Sequence, residues 1–260
     1  MRNRECAGLP GKTRRLCLIA FLTLATSAVG ASAQAVPAVS SYYARTNTFS
    51  VFGAYSGDSS HILLGDAENR RLLNIGVAYG RKLLVNRMVN WQYNGELLPV
   101  ALESDPVALY TYSWTSPTVY SESGTAVLTT PCIPGSGSFS TTDNGKTYSY
   151  SYTFTCSRQW TIGEGMSPVG FQWNFRPRRK LQPFFIGHGG YMYSTQPIPV
   201  PQAGSFNFTF DLGAGFELYR SKTRSVRAEY RYHHISNHNT ANQNPGIDNG
   251  LFQVTYSFGR

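Results

Sequence analysis

Between residues 34 and 260 there is no apolar run long enough for a transmembrane helix, and helical periodicity is scarce throughout. A helical membrane protein is thereby excluded. Cysteine is also scarce. Cys6 and Cys17 fall in the N-terminal segment, which leaves Cys132 and Cys156. No other residue stands near them at metal-ligand spacing, so a cysteine-based metal site is not expected. An even pair in an exported chain reads instead as a disulfide.

Export is what the N-terminus announces. Arg2, Arg4, Lys12, Arg14 and Arg15 precede an apolar run from Leu16 to about Val29, and "ASAQ" follows with Ala31 and Ala33 in small-residue positions. The run is short of the ~20 residues of a spanning helix, which favours a cleaved signal peptide over residues 1–33 rather than an anchor. The segment carries a net +4, so the formal +9 of the 260-residue chain falls to about +5 after cleavage. A mildly basic exported protein is not expected to bind nucleic acid.

Period-two alternation takes the place of helical patterning. In "FNFTFDLGAGFEL", Phe206, Phe208, Phe210, Leu212, Ala214, Phe216 and Leu218 share one face, with Asn207, Thr209, Asp211 and Glu217 on the other. "VNWQYNGEL", "VGFQWNF", "LNIGVAYG" and "LFQVTYSF" alternate in the same way. Such lengths exceed the 5–6 residues usual in soluble sheets and suit barrel strands that are apolar toward lipid and polar toward the lumen.

Eight segments fit, near 47–56, 70–81, 88–98, 168–176, 182–193, 205–219, 225–236 and 250–258. Their connections alternate between long (57–69, 99–167, 194–204, 237–249) and short (82–87, 177–181, 220–224). Long outside and short inside is the outer-membrane pattern. The expected fold is all-β: an eight-stranded antiparallel transmembrane barrel over 34–260, in the bacterial outer membrane. Residues 99–167 form an extracellular insertion in which "YSYSYTF" makes a hairpin, stapled by a Cys132–Cys156 disulfide. It could act as a lid, as a surface contact, or simply as a stabilised flap.

Parity then bears on "YRYHHISNHNTANQNPGIDNG". Arg227, Glu229 and Arg231 belong in the lumen, which puts Tyr230, Tyr232, His234 and Ser236 on the lipid face at the outer end of a strand. His233 then points inward as a structural residue. His238 shares a face with neither His233 nor His234 in a way that suits a metal. A serine needs a base to remove its proton, and the base needs an orienting group. His234 is within reach of Ser236, and Asp248 returns toward it just before the last strand. Asn237 and Asn244 can supply oxyanion donors. Arg70 and Arg71, at the rim, could contact lipid phosphates or be ordinary rim arginines.

"HISN" followed by "NPGID" resembles the outer-membrane lipid A 3-O-deacylases (PagL). The resemblance assigns His234 as base, Ser236 as nucleophile, Asn237 and Asn244 as oxyanion asparagines, and Asp248 as the acid. The family's usual acid is glutamate, so Asp248 is one methylene short. What the resemblance implies is an ester hydrolase that removes the 3-O-linked hydroxyacyl chain from lipid A of lipopolysaccharide in the outer leaflet, with no metal or other cofactor. Homo-oligomerisation is left open. The alternative is a catalytically inactive structural or adhesive barrel in which the outer insertion does the work.

Overall fold

The computed structural model describes residues 42–117, 121–128 and 133–260. The expected signal peptide and Cys132 lie outside these residues. Ten strands are present among them: β1 (Asn47–Ser56), β2 (Arg71–Val85), β3 (Val89–Thr115), β4 (Ser121–Leu128), β5 (Gly135–Asp143), β6 (Lys146–Phe175), β7 (Leu181–Ser194), β8 (Phe206–Tyr219), β9 (Arg224–Ser236) and β10 (Ile247–Gly259). Eight of them close a ring in the order β1-β2-β3-β6-β7-β8-β9-β10, with β10 returning to β1. All neighbours are antiparallel.

Closure follows from the alternating pattern. A sheet with one apolar face and no partner sheet exposes its edges unless it rolls up, and in lipid an open edge leaves backbone groups unsatisfied. On β8 the phenylalanines face out while Asn207, Thr209, Asp211 and Glu217 are buried. On β10 Phe252, Val254, Tyr256 and Phe258 face out over buried Gln253, Thr255 and Ser257. On β6 a bulge between Met166 and Val169 switches the inward parity from odd to even positions, which keeps Thr161, Ser167, Gln172 and Asn174 all inside.

The interior is filled by paired charges. Arg231 reaches Glu96 at 2.7 Å and Glu229 at 2.6 Å, Arg45 reaches Glu217 at 2.8 Å, and His233 bonds Asp211. A charge taken out of water must meet an opposite charge or hydrogen bonds, and these groups meet each other in the lumen. Arg231 and Glu96 meet across the barrel, Arg45 reaches β8 from the segment before β1, and the other pairs lie on the same or neighbouring strands.

One end has tight turns at 86–88, 176–180 and 220–223; the other carries 57–70, 195–205 and 237–246. Asn86 shows how the tight turns form: its Oδ1 accepts from the backbone N–H of Met88 at 2.8 Å and of Val89 at 2.9 Å.

The region expected as a loop over 99–167 is mostly sheet. β3 and β6 run on past the barrel, paired without a break from Ala101↔Gly163 to Thr115↔Ser149. β4 adds to β3 and β5 to β6, giving a four-stranded outer sheet in the order β4-β3-β6-β5. The β5–β6 hairpin turns through Asn144 (φ 49°) and Gly145 (φ 75°), the left-handed pair of a two-residue turn. "YSYSYTF", expected to make a hairpin, lies on β6 opposite β5, and the extended β3 and β4 widen that pair into a sheet. Cys156, on β6, is disulfide-bonded.

Candidate active site

β9 carries two faces of opposite chemistry. Arg227, Glu229, Arg231 and His233 are buried in the lumen, while Tyr230, Tyr232, His234 and Ser236 point outward. The strand's outer end therefore holds an imidazole and a hydroxyl on the lipid-facing wall. Across from them on β8 stand Phe210, opposite His234, and Phe208, opposite Ser236; both are exposed and apolar.

The register on the other side places Asp248 of β10 directly opposite His234. Residues so paired have Cβ atoms about 4.5–5.5 Å apart, within reach of the shortest carboxylate side chain. Asp248 Oδ1 lies 2.6 Å from His234 Nδ1. A carboxylate can only accept, so the proton belongs on Nδ1 and the Nε2 lone pair is left free. The paired register by itself brings the aspartate within hydrogen-bonding distance of the imidazole.

Asp248 faces outward by parity yet is fully buried. Its cover is the β1–β2 connection. Leu63 and Leu64 donate backbone N–H bonds to Asp248 Oδ2 at 2.7 and 2.8 Å, and Tyr232 donates its hydroxyl to Oδ1 at 2.8 Å. The connection is tied down by Asp66 N–H to Pro245 O at 2.6 Å and Ala67 N–H to Gly246 O at 3.0 Å. Gly65 is required by contact: a Cβ there would fall 2.6 Å from Asp248 N. The Tyr232 ring also stacks on His234, with centroids 6.5 Å apart and planes 11° off parallel. Four donors, three of them uncharged backbone or hydroxyl groups, fix the carboxylate and through it the imidazole.

Neither the covering connection nor Tyr232 was anticipated as part of the site. The available signal was the apolar "ILLG" in an otherwise polar segment, which leaves Leu63 and Leu64 about two-thirds exposed beside the site.

Ser236 is half-buried next to His234 on the same face, and no hydrogen bond joins the two. The asparagines divide their tasks. Asn237, expected as an oxyanion donor, points inward, and its Nδ2 donates to Ala203 O and to Gln243 O at 2.6 Å. Both its amide protons are committed to building the loop, which corrects that expectation for the side chain. Asn244 Oδ1 accepts the Asn237 backbone N–H at 3.0 Å, and its Nδ2 makes no hydrogen bond among the described residues. Asn244 is the free amide donor of the pair.

Other polar residues are structural. Arg70 is buried against Asp105 at 2.6 Å, with further bonds to backbone carbonyls, so it is not available to a ligand; Arg71 is exposed. Glu96, His188 and Asp211 bring ligand atoms within 4.8 Å of one another in the lumen. Arg231 already supplies the cation there, and His188 Nε2 is taken by Asn94 at 3.0 Å. His238 is exposed, its ring edge-on to Phe208.

An eight-stranded outer-membrane barrel with an imidazole–carboxylate pair on its lipid-facing wall is the class of protein that this fold and site define. The particular family follows from sequence: the model of the lipid A 3-O-deacylases (PagL) matches residues 108–257, and the chain belongs to that family. No curated protein matches it. Among solved structures it is similar to the outer membrane enzyme PagL (12% identity, 81% of this chain and 99% of that one, TM-score 0.45). It is also similar to Neisserial surface protein A (10%, 83% and 97%, TM-score 0.39) and to the outer membrane protein OprG of Pseudomonas aeruginosa (8%, 85% and 99%, TM-score 0.36).

Proposed function

We propose that the protein hydrolyses the 3-O-acyl ester of lipid A by a serine mechanism, with Ser236 as nucleophile, His234 as base and Asp248 as its orienting acid. The observation that carries this reading is the 2.6 Å contact between His234 and Asp248 on the outward wall of a deacylase-family barrel. With Nδ1 held by Asp248, Nε2 takes the Ser236 proton as Oγ attacks the acyl carbonyl. The C–O bond to the sugar then breaks, and His234 returns the proton to the departing sugar hydroxyl. Water, deprotonated by the same imidazole, releases the fatty acid from Ser236.

The negative charge on the carbonyl oxygen needs a donor placed in advance. Asn244 Nδ2 serves that purpose, and Asn237 acts as its mount through the backbone bond to Asn244 Oδ1. Phe208 and Phe210 give an apolar floor for the acyl chain, and Leu63 and Leu64 a side wall. Exposed Arg71 suits a lipid phosphate at the rim. No residue of this arrangement needs a metal for the chemistry described.

The test is mass spectrometry of lipid A from cells that express the wild type or Ser236→Ala. Wild-type expression is expected to remove the mass of one 3-hydroxyacyl chain, and Ser236→Ala to leave lipid A unchanged. An unchanged profile with both proteins, each shown folded in the outer membrane, sinks the proposal.

A further inference from the structure

The outer sheet has two faces of contrasting chemistry. Tyr110, Tyr112 and Trp114 on β3 pair across to Phe154, Tyr152 and Tyr150 on β6, so that one face is an aromatic ladder. The opposite face carries hydroxyls, among them Thr111, Ser113, Ser138, Ser151 and Thr153. Ring centroids within the ladder lie 4.8 Å apart for Tyr110–Phe154, 6.0 Å for Tyr150–Tyr152 and 5.1 Å for Phe139–Tyr150.

Two of the rings, those of Tyr112 and Tyr152, lie over glycines of the neighbouring strands. A Cβ added at Gly137 would fall 2.7 Å from Cζ and Oη of Tyr152, and one at Gly124 would fall 2.7 Å from the Tyr112 ring. Tyr112 and Tyr152 therefore each rest against a strand position that has no side chain. Phe139, on β5, is 61% exposed at the edge of the ladder. Rings laid over a glycine in this way present the electron-rich face of the aromatic quadrupole. That face suits the C–H-rich side of a pyranose, whose hydroxyls stay free for water.

Charge narrows the choice of ligand. From Val107 to Ser157 the only charged residues are Glu122, Asp143 and Lys146. A nucleic acid would demand a basic surface, which is missing. The position of the sheet narrows it further. It stands on the extracellular continuation of β3 and β6, and its base opens on a cleft of about 760 Å³. Pro106, Ser157 and Arg158 line one side of that cleft, and Gln243 and Pro245, of the loop that holds Asn244, line the other. A saccharide leaving the membrane from a lipid held at His234 would rise past this cleft toward the sheet.

We propose that the aromatic face of the outer sheet is a binding platform for the neutral saccharide chain of lipopolysaccharide. The choice of that saccharide rests on the deacylase reading above. The platform holds the polar part of the molecule whose acyl ester is cut at the barrel wall, and so raises affinity for glycosylated substrate without touching the chemistry.

The experiment is calorimetric titration of the full chain in detergent micelles with polysaccharide released from lipopolysaccharide by mild acid and freed of lipid A. Wild type is expected to bind it. The triple variant Phe139→Thr, Tyr150→Thr, Tyr152→Thr, which keeps β-forming residues, should lose roughly tenfold or more in affinity, as expected for several stacking contacts. Ser138→Val with Ser151→Val, on the hydroxyl face, should bind as wild type. Gly137→Val retains every ring but lifts Tyr152 from the sheet, and should weaken binding even where the triple variant does not fold. Kinetically, the triple variant should raise KM for long-chain lipopolysaccharide and leave hydrolysis of isolated lipid A unchanged. Failure of the wild type to bind, or full binding by both the folded triple variant and Gly137→Val, overturns the platform. So does a loss of self-association, rather than of saccharide binding, in the triple variant. Binding that persists in a wild type that releases no acyl chain from any lipid A sinks the deacylase reading and leaves the platform standing.

Discussion

Two adjacent histidines on β9 each face an aspartate one strand away, and they have opposite fates. His233 turns into the lumen and bonds Asp211 of β8, beside Arg231 and its glutamates. His234 turns outward and bonds Asp248 of β10. The two pairs have similar groups and similar geometry. What separates them is what lies on the imidazole's far side: the lumen gives His233 a closed network of charges, whereas the wall gives His234 a free Nε2, a serine two residues on and an apolar floor. An imidazole–carboxylate pair becomes a catalytic device only where a nucleophile and a substrate can reach it.

The sharpest way to break this comparison is to remove the nucleophile. Ser236→Ala should lower deacylation by about a thousandfold or more, with thermal stability unchanged, as the rate of 3-hydroxyacyl release from lipid A in detergent would show. Exchanging the two histidines for glutamine comes next. His234→Gln should abolish activity to a similar degree and leave unfolding nearly unaffected. His233→Gln should retain activity per folded molecule and cost roughly 2 kcal/mol of stability, because it leaves Asp211 buried without its partner. Heat-dependent gel mobility alongside the rate assay separates the two outcomes; equal effects on both readouts would erase the distinction.

Acid variants sharpen it further. Asp248→Asn should reduce kcat by about a hundredfold or more while the barrel stays folded. Asp248→Glu should also fall short of wild type, because the seat formed by Leu63, Leu64 and Tyr232 is fitted to the shorter side chain. Full activity in the glutamate variant would argue against that seat. The smallest effect belongs to the side wall: Leu64→Ser should raise KM for lipid A by a few-fold and leave kcat alone, on the loss of one exposed apolar contact.

Much of this was legible from residue order, for a physical reason. A barrel wall has lipid on one side and charge on the other, so a single parity, fixed by Arg227, Glu229 and Arg231, assigns every side chain of β9 to a face. The local pairing of β9 with β10 likewise makes Asp248 the natural partner of His234. The parts that escaped are long-range or depend on hydrogen-bond choice. Leu63 and Leu64 reach Asp248 across 185 and 184 residues of sequence, and nothing in the spacing of the β1–β2 connection indicates that contact. Asn237 could donate either to a substrate or to loop carbonyls, and its inward parity decides for the loop. In the insertion the alternation of "YSYSYTF" indicated a hairpin, but its extension into a four-stranded sheet depends on β3 and β6 pairing across about 50 residues, which local composition does not indicate.

The most direct test of the central claim, that a serine activated by an outward imidazole does the chemistry, is active-site labelling. The folded protein in detergent is treated with a long-chain fluorophosphonate and the adduct is located by peptide mass spectrometry. One phosphonyl group on Ser236, absent from His234→Gln and unaffected by His233→Gln, is the predicted result. An adduct on another residue, or an unlabelled Ser236 in a preparation that still deacylates lipid A, would contradict it.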